Sequence, residues 1–113
     1  IDSYPDDNAQ KIAEVAQSIG YTFPFLLDET QKTAHAYHAA CTPDIYLFNK
    51  NLELVYRGQF DNSRPGNDIP VTGSDLSAAI EQVLRGQTPS EDQRPATGCN
   101  IKWKQGNEPP YFG

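Results

Sequence analysis

A chain of 113 residues, 37% hydrophobic and 11% aromatic, suits one globular domain and excludes a disordered segment. Nine basic against fifteen acidic residues leave a net charge of −6, which argues against nucleic acid or an anionic membrane as partner. No run approaches the ~20 apolar residues of a spanning helix, and two cysteines do not make a disulfide scaffold.

The chain begins at Ile1 and contains no methionine, so its natural start is expected upstream. From Asn8 to Ile19, the residues Ala9, Ile12, Ala13, Ala16 and Ile19 share one helical face. Asn8 is the expected N-cap and Gly20 the expected stop. Phe23-Pro24-Phe25-Leu26-Leu27 reads as a short buried strand with its proline near the start, where a missing N–H matters least. Asp28 with Gln31 resembles a capping box, and a second helix is expected to run to about Ala39.

Asp44 to Phe48 and Leu52 to Arg57 read as strands, with Asn49-Lys50-Asn51 short enough for a hairpin, so the two are expected to pair antiparallel. Gln59 to Gly73 is a polar loop. Thr72 or Ser74 then caps a third helix with Leu76, Ala79, Ile80, Val83 and Leu84 on its apolar side, stopped by Gly86. Beyond Gly86 the chain is polar and rich in proline, and Ile101 and Trp103 alternate with Lys102 and Lys104 as in a tail lying on the body. The expected division is therefore a domain over 1–86 with an extended tail over 87–113.

This order of elements implies an α/β fold: a mixed sheet with an antiparallel hairpin and helices on both faces. The first helix has no strand ahead of it, which a crossover of this kind requires. An N-terminal piece is therefore expected to be absent, leaving a sheet edge that the missing half or a second copy of the chain would cover.

At the junction Cys41-Thr42-Pro43-Asp44, a helical stretch ends and an apolar strand, Ile45-Tyr46-Leu47-Phe48, begins at once. An X-Pro bond is where a cis peptide is least costly, and a thiol stands beside it. Together with Tyr4-Pro5-Asp6-Asp7, Tyr21-Thr22-Phe23-Pro24-Phe25-Leu26, Val55-Tyr56-Arg57-Gly58-Gln59, Ser63-Arg64-Pro65 and Gly98-Cys99-Asn100-Ile101-Lys102-Trp103-Lys104, this junction resembles a family of bacterial thioredoxin-like proteins. That family is grouped with the alkyl hydroperoxide reductase and thiol-specific antioxidant proteins (redoxins).

The resemblance implies the C-terminal part of a thioredoxin-like fold. It also implies a thiol–disulfide oxidoreductase or peroxiredoxin-like antioxidant activity on a protein disulfide or a peroxide. Thr42 and Pro43 would form a cis-proline loop that binds substrate through its backbone. The Cys-x-x-Cys motif with which such proteins usually begin is not in this sequence, so these residues alone are expected to be inactive. The alternative is a non-catalytic thioredoxin-fold protein that binds peptides or acts as a scaffold.

Cys41 is then a candidate auxiliary thiol, against the plainer reading of a small buried residue. Cys99 is a candidate disulfide or redox partner, against that of a packed tail residue. A Cys41–Cys99 bridge would add about 4 kcal/mol by chain entropy, but spacing alone does not fix its geometry. His35 and His38 lie three apart on one helix, with no further ligands at metal-binding spacing. Arg64 is expected to pair with Asp61, and Trp103 to anchor the tail. Neither a cofactor nor a metal is implied, and the expected location is cytoplasmic.

Overall fold

In the computed structural model, which describes residues 1–112, the elements are α1 (Ala9–Ile19), α2 (Lys32–Ala36), β1 (Cys41–Thr42), β2 (Ile45–Phe48), β3 (Leu54–Gly58), α3 (Ser74–Leu84) and β4 (Cys99–Asn100). The architecture is mixed α/β. Among the described residues the strands form two two-stranded sheets, β1 with β4 and β2 with β3, in place of the single mixed sheet expected. The chain divides into two units, residues 1–40 with 100–112, and Cys41–Cys99.

In the first unit, α1 starts and stops where its punctuation dictates. The Asn8 side chain accepts from the Lys11 N–H at 2.9 Å, and Gly20 closes the helix in the left-handed conformation at φ 80. Of the five residues on the expected apolar face only Ile12 is buried, and Ile19 is 62% exposed.

Ahead of α1, the chain is not without an extended partner. The Asp2 N–H donates to the Leu26 carbonyl at 2.7 Å, and the Asp28 N–H donates to the Asp2 carbonyl at 2.7 Å, making a parallel bridge between Asp2 and Leu27. The bridge is an isolated one, and as expected no strand precedes α1 among the described residues. Phe23–Leu27 is extended only at that bridge, while the rings of Phe23 and Phe25 pack on Tyr21 with centroids 4.6 and 5.5 Å away.

The start of α2 is capped by Asp28, whose carboxylate accepts from the Thr33 N–H at 3.2 Å and the Ala34 N–H at 2.8 Å. The helix ends at Ala36 and not near Ala39. His38 adopts φ 55, its N–H bonds the His35 carbonyl at 3.1 Å, and the Ala39 N–H bonds the Ala34 carbonyl at 2.9 Å. That is a Schellman closure with histidine in the place glycine usually takes, so no glycine marks it in the sequence.

In the second unit, β2 and β3 form the expected antiparallel hairpin, with Ile45 opposite Gly58 and Leu47 opposite Tyr56. The Asn49 side chain organises the turn, accepting from the Asn51 N–H at 2.9 Å and the Glu53 N–H at 3.0 Å. Helix α3 has the expected span, but neither Thr72 nor Ser74 caps it. Gly73 holds the N-cap position at φ 68, with the Phe60 ring where a side chain would go.

Beyond Gly86 the chain stays bonded to β3 and the loop after it. The Gln93 side chain accepts from the Arg57 N–H at 2.9 Å and donates to the Val55 carbonyl at 3.0 Å, and the Gln59 N–H reaches the Arg94 carbonyl at 2.8 Å. Residues 87–99 therefore belong with β3, and only residues 100–112 return to the first unit.

Candidate functional site

Pairing of β1 with β4 puts the two cysteines, 58 positions apart in the sequence, on neighbouring strands at the edge of the second unit. Between β1 and β2, the Thr42–Pro43 peptide bond is cis, the geometry expected of this junction, and both residues are exposed. Cys99 is exposed and Cys41 half-buried, and both are free thiols.

The surroundings of Cys41 do not favour a thiolate. Its sulfur lies 3.4 Å from the Pro43 carbonyl and 3.5 Å from the Ala96 carbonyl, either of which can accept its single proton. Burial pushes the thiol pKa up and the Asp44 carboxylate adds to this, while the Arg57 guanidinium works against it. Arg57 is itself committed: Nη2 meets Asp44 Oδ2 at 2.9 Å, and the guanidinium lies 5.0 Å from the Tyr46 ring centroid.

Gly98 closes on the loop from the other side. A Cβ built on it would stand 2.1 Å from the Thr42 carbonyl oxygen and 3.4 Å from the Pro43 nitrogen. Only glycine lets the chain pass against the Thr42–Pro43 peptide at this range. The neighbouring Thr97 hydroxyl accepts from Arg64 Nη2 at 3.4 Å.

Behind this edge lies a polar knot that the sequence did not suggest. Asp61, 3% exposed, accepts from the Ser63 N–H at 2.8 Å, from the Ser63 hydroxyl, and from the Thr72 and Gly73 N–H groups at 2.7 Å each. The Ser63 hydroxyl, with the Gly73 amide next in weight, holds the Asp61 carboxyl well below the usual carboxylate range. The expected Arg64–Asp61 ion pair is therefore corrected. Arg64 donates to the backbone carbonyls of Asp61 at 2.9 Å and Ser63 at 2.7 Å and to Gln59 Oε1 at 2.6 Å, while the Asp61 carboxylate holds the Thr72 and Gly73 N–H groups just ahead of α3.

The remaining candidates lie in the first unit. His38 stacks on Tyr111 with centroids 5.1 Å apart, and His35 meets the Trp103 ring edge-on at 6.1 Å. The tail's principal anchor is Gln31, which is 1% exposed. It donates to the Ser3 and Lys102 carbonyls at 2.9 Å each and accepts from the Lys104 N–H at 2.8 Å and the Asn107 amide at 3.0 Å. Trp103, the expected anchor, is half-buried beside it. Gln31 was legible only as a helix-start residue, because its partners lie 28 positions away at Ser3 and more than seventy away at Lys102, Lys104 and Asn107.

Among the described residues, no group of three or more His, Cys, Asp or Glu side chains gathers to hold a metal, and no helix is long and apolar enough to cross a membrane. A cavity of about 260 Å³ opens between α3 and the segment around Ser90 and Arg94, and none of Cys41, Thr42, Pro43 and Cys99 lines it.

No protein-family model and no curated protein matches this chain. Solved structures do. An uncharacterized conserved protein from Geobacillus kaustophilus is 53% identical over 90% of this chain and 54% of its own, with a TM-score of 0.84. A hypothetical protein from Sinorhizobium meliloti 1021 is 47% identical over 91% of this chain and 56% of its own, with a TM-score of 0.85. The chain spans little more than half the length of the solved structures it matches.

Proposed function

We propose that this chain forms the docking edge of a thioredoxin-like thiol–disulfide oxidoreductase or peroxiredoxin-like antioxidant protein, and that neither of its own cysteines is the attacking thiol. The observation that carries this reading is the pairing of β1 with β4, which sets two free thiols on neighbouring strands beside the exposed Thr42 and Pro43. The motif resemblance around Cys41-Thr42-Pro43 and Gly98-Cys99 supports the same reading. In such chemistry an incoming thiolate attacks one sulfur of a disulfide, the other sulfur leaves as thiolate, and a second thiol resolves the mixed disulfide. A thiol with a raised pKa makes a poor attacker at neutral pH, which speaks against Cys41, and the motif resemblance assigns the attack to a Cys-x-x-Cys cysteine outside these 113 residues.

A non-catalytic peptide-binding role is the second reading, favoured by the same protonated, carbonyl-bound state of Cys41. Insulin-disulfide reduction with dithiothreitol separates the possibilities. The 113 residues alone are expected to give no turnover above background, and the natural protein to give turnover that weakens when Pro43 is replaced by Ala. Turnover by the 113 residues that is lost on Cys41→Ser overturns the assignment. A natural protein without any disulfide or peroxide turnover leaves the binding role.

A further inference from the structure

The edge of β1 beside Thr42–Pro43 is not vacant: β4 is hydrogen-bonded to it, and Gly98 lies against the Thr42–Pro43 peptide. Resting on the docking reading above, we infer that residues 97–99 are an internal stand-in for the docked partner. The partner this edge accepts is an extended strand that carries glycine where it crosses the Thr42–Pro43 peptide, and it binds by displacing β4.

Three observations converge on this. A Cβ at position 98 would come within 2.1 Å of the Thr42 oxygen, so any chain in this seat needs a residue without a side chain there. The Cys41 thiol reaches the Ala96 carbonyl at 3.5 Å, and Arg64 Nη2 reaches the Thr97 hydroxyl at 3.4 Å. The seat therefore offers one donor to a backbone carbonyl and one to a small hydroxyl on the two residues before the glycine. The pairing is also short. β1 and β4 are two residues each, and Cys99 and Asn100 are exposed, so exchange of these two β4 residues uncovers little, with the buried Ile101 next in the chain as the main tie that opposes it.

Main-chain pairing would supply affinity and the tight seat at the glycine would supply specificity, as in strand addition to a sheet edge. Occupancy by β4 lowers the apparent affinity by the fraction of molecules in which the edge is open.

The test is fluorescence anisotropy with a labelled synthetic copy of residues 95–102 carrying Cys99→Ser. The wild-type chain is expected to bind it weakly. Gly98→Val, which cannot hold β4 against Thr42, is expected to bind it about tenfold more tightly. Cys99→Pro, which puts a residue without an N–H into β4, should act in the same direction. A peptide with Gly98→Val should bind none of them.

Hydrogen exchange on the wild-type chain provides a readout that needs no variant to fold: excess peptide should speed exchange of the chain's own amides at 99–101. Equal peptide affinity in wild type and variants, with no change in exchange, overturns strand displacement while leaving the docking edge in place. No peptide binding to any form overturns both.

Discussion

Gln31 in the first unit and Asp61 in the second perform similar tasks with different chemistry. Each is a buried polar side chain, 1% and 3% exposed, that ties separate backbone segments together, at residues 3, 102 and 104 for Gln31 and at 63, 72 and 73 for Asp61. Gln31 faces two carbonyls and one backbone N–H, and an amide is the side chain that both donates and accepts. Asp61 faces three backbone N–H groups and a hydroxyl, all donors, and a carboxylate accepts from all four at once. The polarity of the orphaned backbone groups selects the side chain, and the choice decides whether the tie responds to pH.

The comparison breaks most visibly at Asp61. Asp61→Asn replaces an acceptor oxygen with a donor facing N–H groups, and Tm is expected to fall on the order of 10 °C in a thermal melt. Acid gives the same answer without mutation. Because the folded carboxyl titrates below its unfolded value of about 3.9, the stabilisation is complete above that value. It is lost as pH falls from there towards the folded pKa. Wild-type melts should therefore weaken below about pH 4, and the asparagine variant should lack that share of the loss.

Gln31→Ala strips both carbonyls and the Lys104 N–H of their partner, and should lower Tm by about 5 °C. The neutral amide does not titrate, so this decrement should be the same at pH 7 and pH 4. Limited proteolysis should then cut first within residues 102–112.

The Arg57–Asp44 pair is the weakest tie of the three. The Arg57 side chain is 38% exposed, so solvent screens the bond and Asp44→Asn should cost no more than about 1 kcal/mol in urea unfolding. Its informative effect is on the neighbouring thiol. Removing the Asp44 charge should lower the Cys41 pKa and make that thiol react faster.

Elements written in local chemistry were legible from the sequence. Asn8 and Gly20 bracket α1, the asparagine turn joins β2 to β3, and the spacing of Leu76, Ala79, Ile80 and Val83 gives α3. The position of the Thr42–Pro43 loop was equally clear, since proline and cysteine stand directly before an apolar run.

What the sequence hid depends on partners distant in the chain or on residues in uncharacteristic roles. His38 ends α2 in a left-handed conformation that glycine usually takes. Gln31, which reads as half of a capping box, turns inward to residues 102–107. Asp61 and Arg64 suggest an ion pair because they are close and opposite in charge, yet each is worth more to the backbone groups around it. Gln93 and Arg94 bond to β3 and the loop after it, a pairing no local pattern announces.

The central claim is that Cys41 is a loop-binding thiol and that the attacking group of the proposed chemistry lies elsewhere. Its most direct measurement is the rate of reaction of the Cys99→Ser variant, in which Cys41 is the sole thiol, with 5,5′-dithiobis(2-nitrobenzoate) at pH 7. A thiol whose pKa burial raises, with carbonyl acceptors at 3.4 and 3.5 Å, should react about tenfold more slowly than free glutathione. A rate above that of glutathione would identify Cys41 as an activated nucleophile and contradict the account.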